Sequence, residues 1–270
     1  MASQRIPQAL MIGLSDSDSE SGGLNYRYAQ LSMDSPKEGI DYEGAWDCYA
    51  QAWQTIHPEL EYIGDEWAGQ GAGAAASLAE YETLIETQFI APYIRSDQVV
   101  LEIGVGGGKT SQLLRKYAQR LICADISQKM LDATRARLGS ERVEYCKLDG
   151  ISLEPLAAHS IDVCFCYDTM VHVEPRDIFN YLRQIPRLLK GDRLCVFHHT
   201  NVLSDLGWQK FLREIDINLM GKRHGSAFSV MTNEIMEKFL NELNYQVLLK
   251  DTTSVPRDCV WICQAPLIER

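Results

Sequence analysis

The sequence predicts an α/β fold in which a mostly parallel, doubly wound sheet is closed by a reversed hairpin at its C-terminal edge. Three observations carry this. A buried apolar run, Val99 to Ile103, passes directly into a glycine-rich turn and a helix start, VVLEIGVGGGKT, which is how such a sheet builds a ligand site. Strand-like apolar runs then alternate with segments of helical spacing, a pattern that calls for parallel strands joined by crossover helices. Two further apolar runs close the chain, separated only by turn residues around Pro256, as an antiparallel edge pair requires.

Taken in order, residues 1–40 are polar, with the cluster Ser15-Asp-Ser-Asp-Ser-Glu20-Ser-Gly-Gly23. They read as a flexible tail that cannot bury enough apolar surface to order itself. Residues 41–94 read as a helical lid. The stretch Asp41 to Leu60 carries Trp46, Tyr49, Ala50, Trp53 and Ile56 at helical spacing, an amphipathic helix that ends before Pro58. A glycine-rich link, Gly64 to Gly73, precedes a second helix from about Ala74 to Ile90, stopped with the help of Pro92. Residues 95–270 form the main domain. Strands are expected at Val99–Ile103, Leu121–Ala124, Val143–Lys147, Ile161–Cys166, Arg193–His198, Tyr245–Asp251 and Cys259–Gln264. Helices are expected at Lys109–Tyr117, Gln128–Leu138, Arg176–Leu189, Leu206–Met220 and Asn233–Leu243.

Composition narrows the function classes. Of 270 residues, 46% are hydrophobic and 23% charged, ordinary for a globular domain with a sizeable core. A net charge of −11 argues against a nucleic-acid partner, whose phosphates are bound chiefly by Lys and Arg. No apolar stretch approaches the ~20 residues that span a bilayer, and the N-terminal apolar patch, broken by Pro7, does not read as a secretory signal. Eight cysteines without a C-x-x-C pair read as small buried hydrophobes in a reducing, cytoplasmic compartment rather than as disulfides or metal ligands. Cys164 and Cys166, two apart, should share one strand face.

The glycine turn separates three ligand classes. A phosphate loop, G-x-x-x-x-G-K-S/T, would need glycine where the chain has Ile103. A dinucleotide fingerprint, G-x-G-x-x-G, would need one at Lys109. What remains is Glu102, Gly104, Gly106 and Gly108, with a lone acid, Asp125, closing the next apolar run 23 residues after Glu102. That interval is close to the ~20 residues of one strand–helix–strand step. The pattern resembles motif I and the ribose-binding acid of class I S-adenosylmethionine-dependent methyltransferases. The resemblance covers about residues 95–265 and implies a Rossmann-like seven-stranded sheet with S-adenosylmethionine as cofactor. It implies that the glycines let the backbone approach the amino-acid end of the ligand, while Asp125 accepts the ribose hydroxyls. Ile126 and Met130 are then suited to an adenine face, and Asp149-Gly150 stands where the family has an acid near the adenine amino group, though Asp-Gly is also a common turn.

The remaining strand ends supply chemistry. The fourth yields Tyr167-Asp168-Thr169-Met170, then His172 and Glu174, in the region where the family's substrate meets the methyl group. It departs from the Asn-Pro-Pro-aromatic signature of members that methylate planar amines, which speaks against DNA-adenine or glutamine methylation. The fifth ends in His198-His199, whose side chains should point to opposite faces. A hydroxyl nucleophile benefits from a general base, and histidine titrates near working pH. His172, His198 and His199 are therefore candidate bases, with Asp168 or Glu174 orienting them. The spacing of His172, His198, Asp168 and Glu174 matches no metal motif, so no metal is expected. Upstream, Gly64-Asp65-Glu66-Trp67 resembles a segment of bacterial methyltransferases associated with sugar and glycan modification, which places Trp67 among the cofactor-site candidates; a core-packing Trp is the alternative. The expected function is methyl transfer to a small polar acceptor, a hydroxyl of a sugar or hydroxylated metabolite. N-methyl transfer to a small amine and a catalytically silent S-adenosylmethionine-binding partner protein are the alternatives. Oligomeric state is left open.

Overall fold

The computed structural model describes residues 39–218 and 223–268. The expected tail lies almost wholly outside these residues. Seven strands form a single sheet: β1 (Val99–Ile103), β2 (Arg120–Asp125), β3 (Val143–Lys147), β4 (Ile161–Cys166), β5 (Leu189–Thr200), β6 (Gln246–Asp251) and β7 (Asp258–Gln264). Their spatial order is β3-β2-β1-β4-β5-β7-β6. All pairings among β1 to β5 are parallel, while β7 runs antiparallel to both β5 and β6. The strand order reverses between β1 and β4, which opens a crevice above their carboxyl ends, the place where open α/β sheets bind ligands. Five consecutive buried residues in β1 are what a central parallel strand covered on both faces requires.

Helices α1 (Tyr42–Ile56), α2 (Leu78–Ile85), α3 (Lys109–Tyr117), α4 (Gln128–Leu138), α5 (Pro175–Leu188), α6 (Asp205–Glu214) and α7 (Asn233–Glu242) complete the described part. Caps set several of their starts. The Asp41, Ser77, Ser127, Ser204 and Thr232 side chains each accept a backbone N–H from the first turn of the helix that follows.

Three boundaries differ from expectation by more than two residues. Helix α2 starts only after its Ser77 cap, and its last turn widens into a π-turn at Glu86–Ile90. The Lys190-Gly191-Asp192 segment, which the expected elements leave between a helix and a strand, is held inside β5: Leu189 pairs with Ile161, and a register break before Val163 accompanies the positive φ of Gly191 and Arg193. Helix α6 tightens into a 3₁₀ turn at Ile215–Asn218, and the expected end at Met220 lies outside the described residues.

The core has two layers, one on each sheet face. One holds Leu101, Cys164, Phe197 and Trp261; the other holds Val100, Leu114, Phe165 and Val196 beneath Tyr81 and Phe89 of the lid segment. Cys164, Cys195 and Cys263 stand opposite one another across β4, β5 and β7 and are fully buried. Cys164 and Cys166 share a face, as their spacing requires. All eight cysteines are free thiols; Cys48, on α1, is exposed. Among the described residues no helix is long and apolar enough to cross a membrane.

Candidate active site

The crevice above β1 and β4 holds two connected arms. The first, about 130 Å³, is lined by Ile103, Asp125, Ile126, Leu148, Gly150 and Met170 among others. The second, about 320 Å³, runs over the glycine turn towards Trp67, Phe228 and Arg257. Trp46, Gly104, Gly106, Met130, Asp168 and His172 line both, so these six residues form the junction.

The glycine turn is shaped by close approach. At Gly104 (φ 78°) a Cβ would lie 2.2 Å from the Thr169 side chain, whose hydroxyl donates to the Gly104 carbonyl at 2.9 Å. At Gly107, which the sequence motif leaves out, a Cβ would stand 1.8 Å from the Ile63 carbonyl. The turn thereby admits the lid backbone on one side and β4 on the other.

Asp125 ends β2 with 6% of its surface exposed. Its carboxylate accepts the backbone N–H of Gly106 at 3.1 Å and of Ser127 at 2.8 Å. Burial raises its pKa to about 6 against the pull of those bonds. Glu102 lies deeper and accepts the Ser111 hydroxyl; burial pushes its pKa to about 8, so it is largely protonated at neutral pH. Gly108 (φ 83°) caps α3 from behind the turn, next to Thr134. Asp149 does not line the first arm: one of its carboxylate oxygens accepts the N–H groups of Ile151 and Ser152, so the Asp-Gly pair is a turn and only Gly150 reaches the cavity.

The three histidines part company. His172 lines both arms and meets Trp46 edge-on at 5.0 Å. Its Nδ1 is buried without a hydrogen-bond partner in the protein. Burial lowers its pKa to about 4, which leaves the ring neutral near pH 7. His198 and His199 point to opposite faces, as expected, and neither lines the cavity. His199 stacks on Trp261, with Nδ1 bonded to the Thr200 carbonyl at 2.6 Å and Nε2 accepting the Trp261 indole N–H at 2.7 Å. Both its nitrogens are used, and burial lowers its pKa to about 4.

His198 lies between two carboxylates, Asp258 at 3.2 Å from Nε2 and Asp168 at 3.3 Å from Nδ1. Burial opposes its charge, but the two carboxylates outweigh that and raise its pKa to about 9. Both ring nitrogens face these carboxylates and the ring lines neither arm, so His198 is not placed to take a proton from an acceptor. The expectation that His198 or His199 serves as base is corrected on this geometry.

Asp168, in a left-handed conformation (φ 56°) just past β4, accepts the Tyr81 hydroxyl at 2.8 Å and faces Lys109 Nζ at 3.9 Å. Burial opposes its ionisation, yet the His198 hydrogen bond and the Lys109 charge hold its carboxyl well below the usual range. Glu174 is paired with Arg223 at 2.9 Å rather than with a histidine. Tyr167 and Trp67 line the second arm only. The Tyr167 ring stacks on His198 at 4.3 Å. Trp67 lies under the Arg257 guanidinium at 5.3 Å, and its carbonyl accepts the Lys109 ammonium at 2.7 Å. Glu66, from the same Gly-Asp-Glu-Trp segment, accepts the Trp53 indole, the Tyr49 hydroxyl and the Gly64 N–H, which ties the loop to α1.

Sequence reasoning missed Arg257 and Asp258. Arg257 is buried between the Trp67 and Phe228 rings and bonds Asp258 through two nitrogens, at 2.8 and 2.7 Å. Only their adjacency, Arg-Asp immediately before a buried strand, could have marked them. Among the described residues no group of three or more His, Cys, Asp or Glu side chains could hold a metal ion.

Helix α1 covers the crevice. Its Tyr42 hydroxyl donates to Asp177 at 3.1 Å and accepts the Glu174 N–H, Asp47 accepts the Ser127 hydroxyl at 2.5 Å, and Glu43 pairs with Lys147 at 2.9 Å.

Residues 101–197 match the family described as a methyltransferase domain. No curated protein matches the chain. Among solved structures the chain is similar to magnesium protoporphyrin IX methyltransferase (ChlM) from Synechocystis PCC 6803 with bound SAH, at TM-score 0.58 and 14% identity, over 83% of this chain and 98% of that one. It is also similar to the (4+2)-cyclase SpnF, at TM-score 0.60 and 13% identity over 84% and 97%. A third similar structure is an S-adenosylmethionine dependent methyltransferase from Mesorhizobium loti, at TM-score 0.53 and 16% identity over 71% and 99%. At these identities the likeness speaks for the fold, and the family match speaks for the domain. Residues 101–197 therefore carry a methyltransferase domain, on a fold shared with S-adenosylmethionine-dependent methyltransferases, and S-adenosylmethionine is the cofactor that the domain and the fold together indicate.

Proposed function

We propose that the chain transfers a methyl group to a hydroxyl of a small polar acceptor, a sugar or other hydroxylated metabolite, with His172 as general base. The residues present suit the cofactor. The first arm offers an apolar slot between Ile126, Met130, Leu148 and Met170 for a planar base, and the Asp125 carboxylate on its wall for a pair of ribose hydroxyls. Gly104 and Gly106 leave the turn without side chains where the two arms join. S-adenosylmethionine, when bound, supplies an electrophilic methyl group on a sulfonium sulfur.

The single observation that carries the reading is that His172, alone among the three candidate histidines, lines both arms where they join, with a ring Nδ1 that lacks a partner in the protein. A buried polar atom without a partner is costly, and a ligand hydroxyl would satisfy it. A neutral imidazole can take the proton that a hydroxyl loses as its oxygen is methylated. The carbonyls of Ala227 and Ser226 favour the protonated ring and so support that step. The second arm, walled by Trp46, Tyr49, Trp67 and Phe228, orients the acceptor, and such positioning is a large part of transfer catalysis. Residues 41–94 act as a lid, since Trp46 lines both arms and Ile63 the second, where they keep water from the reacting groups. The acidic net charge supports a small-molecule acceptor over a nucleic acid, and the free cysteines support a reducing, cytoplasmic setting.

Calorimetry with S-adenosylmethionine and S-adenosylhomocysteine tests the site, wild type against Asp125→Ala. Micromolar binding that collapses in the variant is expected, and wild-type chain that binds neither compound would overturn the reading. A screen of hydroxylated and amine acceptors then tests the chemistry. Turnover of hydroxyl acceptors that His172→Gln abolishes supports O-methylation, and turnover of amines that survives the substitution selects N-methyl transfer. Tight binding without turnover on any acceptor selects a silent binding protein.

A further inference from the structure

A line of alternating charge runs through the protein behind the junction. Arg257, on the wall of the second arm, pairs with Asp258 at 2.7 Å; Asp258 lies 3.2 Å from His198; His198 lies 3.3 Å from Asp168; Asp168 faces Lys109 at 3.9 Å. Asp258 and His198 are fully buried and touch neither arm. Burying charges costs desolvation that even good pairing seldom returns as stability, so this line calls for another account. Its one member at the junction is Asp168. A methyl group passing from cofactor to acceptor has to cross where the arms meet. The sulfur that carries it is positive before transfer and uncharged after, so the charge at the junction bears differently on S-adenosylmethionine and S-adenosylhomocysteine.

We propose that the Asp168 carboxylate and the His198 imidazolium behind it set the preference of the site for the charged cofactor over its uncharged product, with Asp258 as the positioning residue that keeps His198 charged. Asp168 favours the cationic ligand. His198 offsets part of that negative charge, so that the cofactor is not held so tightly in its ground state that transfer slows. Opposite effects at adjacent residues follow. A neutral His198 would also satisfy its nitrogens, accepting the Asp168 backbone N–H at 3.1 Å through Nδ1 and donating to Asp258 through Nε2. The presence of a second carboxylate at Nδ1 favours the charged ring.

This inference rests on the reading of the two arms given above, and binding measurements separate the two. The dissociation constants of S-adenosylmethionine and S-adenosylhomocysteine are measured by calorimetry at pH 7.5, in variants that retain a cooperative unfolding transition. Asp168→Asn is expected to lower the preference for S-adenosylmethionine by about tenfold or more. His198→Gln is expected to raise it several-fold. A merely structural role would weaken both ligands alike and leave the ratio unmoved. Should His198→Gln not fold, Asp258→Asn provides the second route, since losing one of the two carboxylates frees His198 to lose its proton; at pH 8.5 its ratio is expected to move the same way as in His198→Gln. Ratios within twofold of wild type in Asp168→Asn and in whichever His198 or Asp258 variant folds, or ratios that move in the same direction, would overturn the inference and leave the site intact. Failure of the wild-type chain to bind either compound would instead overturn the reading of the site.

Discussion

Burial moves His172 and His198 in opposite directions because their neighbours differ. His172 has no carboxylate in contact, so desolvation leaves it neutral above about pH 4. His198 has two, and they hold it charged up to about pH 9. On an acceptor found by screening, His172→Gln is expected to lower kcat about 10²–10⁴-fold, with the dissociation constant for S-adenosylhomocysteine nearly unchanged. In the wild type, kcat/KM should show no acid limb from this residue between pH 6 and 8, because the base is already deprotonated there. Initial rates across that range check both. The residue types at this site were legible from sequence, since strand ends and a glycine turn announce themselves. Their division of labour was not. Alternation placed His198 and His199 on opposite faces correctly, but burial on both faces of β5 took each of them away from the cavity. Asp149 was ambiguous between turn and ligand, and its two backbone N–H bonds decided for the turn.

Among the elements, the contact between the glycine turn and the loop before Trp67 couples the lid to the cofactor arm. Gly107→Ala would place a methyl group against the Ile63 carbonyl, 1.8 Å away, on both backbones at once. Neither can yield as a flexible side chain would. The variant is expected to fold around an intact sheet but to displace residues 62–67, weakening S-adenosylhomocysteine binding at least tenfold, roughly the effect of 1.4 kcal/mol. Calorimetry and hydrogen exchange of α1 measure the two parts. Element positions were legible wherever an apolar run ended in a clear turn, as β3, β4, α3 and α4 do. Legibility failed where long-range pairing overrode local chemistry. The Lys190-Gly191-Asp192 segment falls between the expected helix and strand, yet pairing of Leu189 with Ile161 keeps it in a strand. Likewise, Ala74 to Ala76 are good helix formers left outside α2 because Ser77 supplies the cap.

For the molecule as a whole, the buried titratable groups give stability a definite pH dependence. His198 has its pKa raised from 6.5 to about 9, so its contribution is complete below pH 6.5 and lost as pH rises through 9. Asp125 and Glu102 are raised from 3.8 and 4.5 to about 6 and about 8, so each costs stability as pH rises from its ordinary value through its folded one. Asp258 and Glu66, held low, act the other way and lose their contribution in acid. The ligand-free chain should therefore be most stable in mild acid and decline towards pH 9. Glu102→Gln removes one cause of that decline. At pH 9 it is expected to exceed wild type by about 2 kcal/mol, while near pH 4, below the ordinary carboxyl value of 4.5, the two should agree closely. Thermal unfolding at the two pH values decides it.

The distribution of thiols makes the lid observable without altering the sequence. Six of the eight cysteines are buried and one is partly covered, which leaves Cys48, on the outer side of the helix that covers the crevice, as the exposed one. A maleimide dye added to the native chain should therefore attach first at Cys48. Its fluorescence would follow α1 as ligands enter the crevice, and the delayed appearance of further labelled thiols would time the opening of the sheet itself.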